Sequence, residues 1–317
     1  MQQNSSPLYR RSMFYDLLVL FLLALVGGFF RQIPVTAVVY IIIGPTLLDM
    51  AEQLRTGTLT EEQYFGQLQT ELLNAMQNEW VVIVSLLSSV LVVGVVLFWC
   101  RKIRKQPLSD IGLSTQKALP RMGLGCLLGI ACALAAVGLP LLLKAATLSP
   151  SDAFSPARTV LVALGLLLAG VEEEVLFRGY LFMEWRRTRP LWQAVVFSSL
   201  VFIILNATTG MNFLSYINMF LLGCVLALLC HLTGNIVCSM CLHGISNLLI
   251  GCVFGGTISG TVFSSRLFAF AATEGRELTS GGAAGPESGL GMTLILVVVL
   301  FILLWRIADK KEKANRA

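Results

Sequence analysis

Charged side chains are scarce in this sequence. They make up 13% of its 317 residues, about half of the roughly 25% that soluble domains carry. A chain with so few charges cannot cover a core with an ordinary water-facing surface, and 56% of its residues are hydrophobic. The composition therefore excludes an ordinary soluble domain and predicts an integral membrane protein with several helical spans.

Clusters of basic and aromatic residues of the kind that bind nucleic acid are also lacking. The net charge is only +5, so we expect the lipid bilayer, and no nucleic acid, as a partner. No internal repeat is visible, which argues against a transporter built from pseudo-symmetric halves. The first apolar run is long and no clear cleavage site accompanies it, so we interpret it as a signal anchor.

The eight cysteines all lie in or at the ends of apolar runs, whereas structural disulfides prefer aqueous, oxidising loops. We predict that they are thiols that fill helix packing. Cys238 and Cys241 have the spacing of a CxxC metal or redox motif. Packing is the favoured interpretation, because His243 would point to another side of a regular helix.

Apolar runs of spanning length occur eight times, and a shorter run follows the first. They predict an all-α, polytopic transmembrane helical bundle of about eight spans. The eight runs are 14–30, 80–100, 122–143, 160–182, 191–205, 213–230, 236–253 and 292–305, and the shorter run is 34–48.

Basic residues beside the spans predict the orientation, since cytoplasmic loops are enriched in Lys and Arg. This rule places residues 101–105, residues 184–190 and the C-terminal tail in the cytoplasm, and the acidic segment 49–79 outside. The chain is thus expected to be a multi-pass protein of a cell's inner membrane. Its short loops favour a bacterial membrane.

The orientation of the N-terminus is left open at this stage. Arg10 and Arg11 favour a cytoplasmic N-terminus, which requires an odd number of crossings before residue 49. We therefore expect 34–48 to be interfacial or re-entrant, unless the N-terminus lies outside.

Four ionisable residues interrupt the fourth apolar run, in the stretch "GVEEEVLFRGY". Ionisable residues inside a membrane are costly and are functional candidates by default. Glu174 and Arg178 are four residues apart, so they face each other across one helical turn and offset each other's charge. Glu173 has no such partner, which makes it the candidate general base. Glu172 lies on another side of the helix, and its role is open.

Polar residues also occur in two other runs. Asn206 ends the fifth run in "FIILN", and His243 and Asn247 lie one turn apart in "HGISN" of the seventh. Counting about 1.5 Å per residue from the cytoplasmic ends places Glu173 about 13 Å deep and His243 about 12 Å deep. We therefore expect polar groups from three helices to meet on the cytoplasmic side of the bilayer midplane.

These residues resemble the motifs of the CAAX protease and bacteriocin-processing family of glutamate-type intramembrane endopeptidases. The resemblance covers about residues 160–253, and its second motif departs from the family pattern, because asparagine stands where the family has histidine. The matched positions are Glu173, Glu174 and Arg178 for EExxxR, Phe202 and Asn206 for FxxxH, and His243 and Asn247 for HxxxN.

The resemblance implies hydrolysis of a peptide bond by an activated water molecule. It assigns roles to six residues: Glu173 as general base, Asn206 as a group that holds the water, His243 and Asn247 as stabilisers of the oxyanion, and Glu174 with Arg178 as the pair that keeps Glu173 in place. The substrate would be a membrane-embedded or membrane-adjacent peptide or protein, cleaved in the cytoplasmic half of the bilayer.

A metal site is possible but not favoured. With Asn206 in place of histidine, only Glu173, Glu174 and His243 remain as good zinc ligands, so we expect a metal-free mechanism without a cofactor. The alternative function is a non-catalytic scaffold or binding partner with the same fold, which the change at Asn206 keeps open. A structural ion pair that only fixes helix packing is the alternative for the charged cluster.

Three regions follow from these assignments. Residues 1–157 form an N-terminal transmembrane region with the external loop 49–79, and residues 158–255 form the catalytic core. Residues 256–317 contain an external Gly-rich loop, the last span and a basic cytoplasmic tail. Within that loop the segment 280–291, "SGGAAGPESGLG", predicts a flexible linker.

Overall fold

The protein is a bundle of helices with one short pair of strands. The computed structural model describes residues 12–208 and 211–316. It is 78% helical, which confirms the all-α class. The elements are α1 (Met13–Arg55), α2 (Glu61–Met76), α3 (Glu79–Leu87), α4 (Ser89–Phe98), α5 (Ala118–Leu142), β1 (Ala146–Pro150), α6 (Pro156–Glu173), α7 (Met183–Thr188), α8 (Leu191–Asn206), α9 (Phe213–Thr233), α10 (Val237–Leu248), β2 (Phe268–Ala272), α11 (Glu277–Ser280) and α12 (Leu290–Arg316).

The helices coincide with the predicted spans. Within the described residues, five helices are long and apolar enough to cross a membrane by length and composition. Two further apolar helices are shorter: one is α8, and the other is α10 with its continuation to Val253. The remaining predicted span, 160–182, consists of α6 and a π-helical stretch, Glu174–Phe182, that continues it. Each of the eight predicted spans therefore corresponds to one helix or to consecutive helices of the described chain.

Helix α1 is longer than expected. It runs without interruption for 43 residues and contains Pro34 and Pro45, which makes it about 65 Å long. The prediction that 34–48 is a separate interfacial or re-entrant segment is therefore wrong. A proline removes only one intrahelical hydrogen bond, and a helix packed against neighbours tolerates that loss. The basic pair Arg10 and Arg11 lies outside the described residues.

The far half of α1 extends beyond the thickness of a bilayer core, which is about 30 Å. There it packs against α2 and α3 in a small apolar cluster that is separate from the main core. The members of this cluster are Val35, Val39, Ile43, Ala75 and Val81. The acidic segment 49–79 therefore folds back onto α1 through α2.

Glycines bring α10 close to two neighbouring helices. A Cβ atom on Gly125 of α5 would lie 2.2 Å from the carbonyl oxygen of Cys238 on α10, and one on Gly170 of α6 would lie 3.0 Å from Gly244 on α10. A larger residue at either position would push the helices apart. Because His243 precedes Gly244, this crossing sets it beside the carboxylates at the end of α6.

Polar contacts show which helix ends lie together. Arg104 pairs with Glu184 at 2.8 Å, and the side-chain nitrogen of Asn235 donates to the carbonyl of Ser114 at 2.6 Å. These contacts join three of the segments that connect the spans, and we call this side of the bundle the basic end. It consists of residues 99–117, 183–190 and 231–236.

The opposite end holds the strand pair and the segment 280–291. This segment folds into turns that connect α11 to α12, and its residues Ala284, Pro286 and Ser288 are buried. The side-chain nitrogen of Asn218 on α9 donates to the carbonyl of Gly289 at 3.1 Å. The prediction of a flexible linker is wrong, because burial and hydrogen bonding fix these turns against the bundle.

Candidate active site

The polar residues of three helices line one cavity. It has a volume of about 370 Å³, and its wall includes Glu173 of α6, Asn206 of α8, and His243 and Asn247 of α10. The sequence placed these four residues on separate spans without a direct indication that the spans touch. The structure therefore brings together four of the six predicted site residues around one space.

The other two predicted residues form the expected ion pair. Arg178 Nη1 donates to Glu174 Oε1 at 2.9 Å, and the two side chains are 2% and 0% exposed. The same oxygen lies 3.1 Å from Nδ1 of His243. Opposite charges offset part of the cost of burying each other. The pair therefore contacts His243 directly, whereas the resemblance implied that it keeps Glu173 in place.

Glu173 and His243 face each other across the cavity wall. Oε2 of Glu173 lies 3.8 Å from Nε2 of His243, and the Glu173 side chain is 28% exposed. This distance is too long for a direct hydrogen bond, but a water molecule about 2.8 Å from each atom would bridge them. Because Nδ1 is bonded to Glu174, Nε2 is the ring nitrogen available to such a water.

Phe202 packs between the cation and the histidine. The guanidinium carbon of Arg178 lies 4.4 Å from the centre of the Phe202 ring, a distance at which cation–π attraction is favourable. The ring centres of Phe202 and His243 are 6.2 Å apart in an edge-to-face arrangement. The aromatic residue of the second motif thus contacts both Arg178 and His243 and helps to fix their positions.

Asn206 lines the cavity, but part of its side chain is used within its own helix. Its amide nitrogen donates to the carbonyl oxygen of Phe202 at 3.0 Å. Its carbonyl oxygen can only accept a hydrogen bond, whereas a histidine ring can donate or accept. Asn206 is therefore able to accept a hydrogen bond from a water in the cavity.

Glu172 has a partner that the sequence analysis missed. It forms an ion pair with Arg31 of α1, and Arg31 also donates to the hydroxyl of Ser89 on α4 at 3.2 Å. These contacts join three helices directly beside the catalytic candidates. A signal was present in the sequence, because Arg31 is the only charged residue between Asp16 and Asp49.

Replacing Arg31 with glutamine is expected to lower the free energy of unfolding by about 3 kcal/mol. Removing one partner of a buried ion pair costs about 3–5 kcal/mol, because the other charge stays buried alone. Because the Arg31 side chain is 30% exposed, we expect a loss at the low end of this energy range. Thermal unfolding in detergent micelles measures the loss. The double variant Arg31→Gln/Glu172→Gln should recover much of it, and no recovery would argue against the pair.

A second carboxylate in the cavity was also missed. Glu287 precedes α12 and lines the same space. Its Oε1 accepts a hydrogen bond from the backbone N–H of Ser259 at 2.7 Å. Burial raises the pKa of Glu287 to about 7, although this hydrogen bond favours the ionised form. Its position in a Gly-rich segment gave no periodicity from which a buried side chain could be inferred.

The cavity extends toward the opposite end of the bundle. Its wall includes Met76, Met211 and Ser259 from that end, and none of its described lining residues belongs to the basic end. Glu173 lies about 22 Å from the end of α7 at Thr188. The predicted depth of about 13 Å was counted from residue 182, whereas the helical path continues to Thr188.

The ligand set does not match a structural zinc site. Within residues 12–208 and 211–316, no three His, Cys, Asp or Glu side chains are arranged so that they could hold one metal ion. Zinc sites in proteins use three or four such ligands. All eight cysteines are free thiols, so Cys238 and Cys241 do not form a disulfide.

Residues 155–249 match the family model described as "Rce1-like: Type II CAAX prenyl endopeptidase Rce1-like". This segment is therefore similar to the CAAX protease family. The match is just under a third of the chain, and it contains all six predicted site residues. Arg31 and Glu287 lie outside it. No curated protein matches the chain.

Proposed function

We propose that this protein is an intramembrane endopeptidase of the CAAX type that hydrolyses a peptide bond of a membrane-associated protein or peptide precursor. One observation carries the proposal: Glu173 and Nε2 of His243 face each other at 3.8 Å in a cavity that Asn206 and Asn247 also line. A carboxylate and an imidazole separated by the width of one water molecule, with two amides in the same cavity, are groups that support water-mediated amide hydrolysis.

The reaction begins with a water held between Glu173 and His243. Glu173 accepts a proton from this water, and the oxygen attacks the carbonyl carbon of the substrate. In its doubly protonated form His243 donates Nδ1–H to Glu174 and Nε2–H to the oxyanion, which the amide of Asn247 also stabilises. Glu173 then gives the proton to the leaving nitrogen as the C–N bond breaks. The products are a carboxylic acid and an amine.

The arrangement also supports an orientation. The basic end carries Arg101–Lys105 and the clustered arginines after the fourth span, so the positive-inside rule places it and the C-terminus in the cytoplasm. In that orientation the cavity extends to the outer face, and the scissile bond enters from the outer half of the bilayer. Protease accessibility of a C-terminal tag in sealed and opened cells tests the orientation.

The function is tested by the peptide termini that the protein creates. Membranes from cells that produce the wild type, the Glu173→Gln variant or the Glu62→Gln variant are compared by mass spectrometry. Glu62 is an exposed carboxylate on α2, so it controls for the chemical change. We expect new termini with the wild type and with Glu62→Gln, and none with Glu173→Gln.

Two outcomes would contradict the proposal. New termini that persist in Glu173→Gln would exclude Glu173 as the base. No new termini with the wild type, compared with cells that lack the protein, would favour a non-catalytic scaffold. Asn206 stands at the position of the family's histidine, and this difference is the observation that favours the scaffold function.

We propose that hydrolysis is independent of a metal ion. Dialysis of the purified protein against EDTA and 1,10-phenanthroline is then expected to leave kcat unchanged within about twofold, because the mechanism needs only Glu173, His243 and the two amides. Loss of activity that returns on addition of zinc would overturn the metal-free mechanism. A zinc peptidase treated in parallel shows that chelation is complete.

A further inference from the structure

Two carboxylates line the cavity, Glu173 and Glu287. Four other carboxylates of the bundle each pair with an arginine. These pairs are Glu79 with Arg158, Glu172 with Arg31, Glu174 with Arg178, and Glu184 with Arg104. Within the described residues, Glu173 and Glu287 form no ion pair with Lys or Arg. The mechanism uses Glu173, but it does not use Glu287.

Glu287 is held firmly in its position. The side-chain nitrogen of Asn218 on α9 donates to the carbonyl of Glu287 at 2.9 Å, and the hydroxyl of Thr293 on α12 donates to Asn218 Oδ1 at 2.7 Å. The N–H of Ser259 binds one carboxylate oxygen. Asn218 therefore fixes the backbone of Glu287 and Ser259 fixes its carboxylate before any substrate arrives, as a specific binding group requires.

The described lining of the cavity around Glu287 contains no lysine or arginine. Its ionisable residues are two glutamates and one histidine. A buried carboxylate without a counter-charge is costly, and its pKa of about 7 reflects that cost. A cation that enters the cavity would offset it. The carboxylate of Glu287 is therefore complementary to a positive charge that enters the cavity.

The rest of the wall suits an apolar chain that carries this charge. Met76, Met211, Met219 and Met292 all line the cavity. Methionine side chains are flexible and polarisable, so they adapt to apolar groups of different shape. The aliphatic stem of a lysine or arginine could lie along them while its charged end reaches a carboxylate.

We infer that Glu287 forms an anionic subsite that binds a lysine or arginine side chain of the peptide substrate. This basic residue is flanked by apolar residues of the substrate. It lies on the side of the scissile bond that is nearer the end of the bundle with the strand pair. This inference rests on the proposed endopeptidase function. It makes Glu287 a residue that determines specificity, whereas Glu173 and His243 carry out the chemistry.

The test uses matched peptides and the purified full-length protein in phosphatidylethanolamine–phosphatidylglycerol vesicles. The substrates are apolar peptides with a fluorophore and a quencher, and each carries lysine, norleucine or glutamate at a single position. Separate sets of peptides place this residue at different positions along the sequence. At one position we expect the wild type to cleave the lysine peptide about 10-fold faster, in kcat/KM, than the norleucine peptide. Glu287→Gln should bring this ratio near 1, and Glu287→Lys should favour glutamate.

Controls separate recognition from folding. Glu277→Gln changes an exposed carboxylate of the preceding helix α11 and should keep the lysine preference. Glu287→Asp keeps the charge and should retain part of it. A wild-type ratio near 1 at every position would overturn the inference, as would an equal loss for all peptides in Glu287→Gln.

Binding distinguishes failure of this inference from failure of the proposed function. The affinities of the lysine and norleucine peptides are measured for Glu173→Gln, with and without Glu287→Gln. A lysine preference that depends on Glu287 supports the subsite even if the wild type cleaves no peptide, a result that would refute only the peptidase function. Equal affinities for both peptides would refute the subsite.

Discussion

Exchange of Glu173 for glutamine is expected to lower kcat by about 10²- to 10⁴-fold, the range that general-base catalysis contributes. Glutamine has nearly the same shape but cannot accept a proton from water. Glu173 makes no ion pair with an arginine, and its side chain borders the cavity. The fold and KM should therefore change little. The measurement is kcat on a peptide whose cleavage site the termini experiment has identified.

A carboxylate one methylene shorter provides the control. Glu173→Asp keeps the base but draws it back from Nε2 of His243, so we expect a loss smaller than that of the glutamine variant. A glutamine variant within tenfold of wild-type kcat would exclude Glu173 as the general base. Unfolding temperatures of both variants establish that the losses are not due to misfolding.

Exchange of the adjacent residue, Glu174, is expected to lower the stability of the fold. Glu174→Gln should lower the free energy of unfolding by about 3–5 kcal/mol, because it leaves the Arg178 guanidinium buried without its counter-charge. Both side chains are almost fully buried, so water cannot replace the lost carboxylate. Denaturant or thermal unfolding in micelles, together with the yield of protein in membranes, measures the effect.

A paired apolar substitution separates charge burial from packing. Glu174→Met/Arg178→Met removes both charges and should recover most of the stability lost in Glu174→Gln, since a buried ion pair can often be replaced by apolar residues. It should not recover activity, because His243 loses the carboxylate at its Nδ1. A Glu174→Gln variant with an unchanged unfolding temperature would show that the ion pair contributes little.

The members of the candidate site could be chosen from the sequence because ionisable side chains are rare in apolar, membrane-spanning runs. Glu173, Glu174 and Arg178 stand out in an apolar run, and a spacing of four residues on a helix implies a contact. The Glu174–Arg178 pair is present as predicted. Local spacing was sufficient here, because both residues lie on one continuous helical path.

Contacts between helices could not be predicted in the same way. That Glu174 reaches His243 depends on the close crossing at Gly170 and Gly244, which spacing within one helix does not specify. The helix also changes to π geometry at Glu174, which alters the faces that a regular helix would present. The partner of Glu172 depends likewise on where α1 packs.

Two larger errors have identifiable causes. The short run 34–48 and the basic pair Arg10 and Arg11 suggested a separate segment after the first span, but α1 continues through Pro34 and Pro45. Glu287 lies among glycines that indicate a linker, and no helical or strand period marks it as buried. In both cases packing between distant parts of the chain outweighed the local signal.

The central claim is that Glu173 and His243 act as one unit on one water molecule. The most direct test is kcat/KM of Glu173→Gln, His243→Ala and the double variant, measured on the same peptide in vesicles. Groups that serve one step are strongly non-additive, so we expect the double variant to be no slower than the slower single variant within about threefold. A double variant whose loss equals the product of the two single losses would contradict the claim.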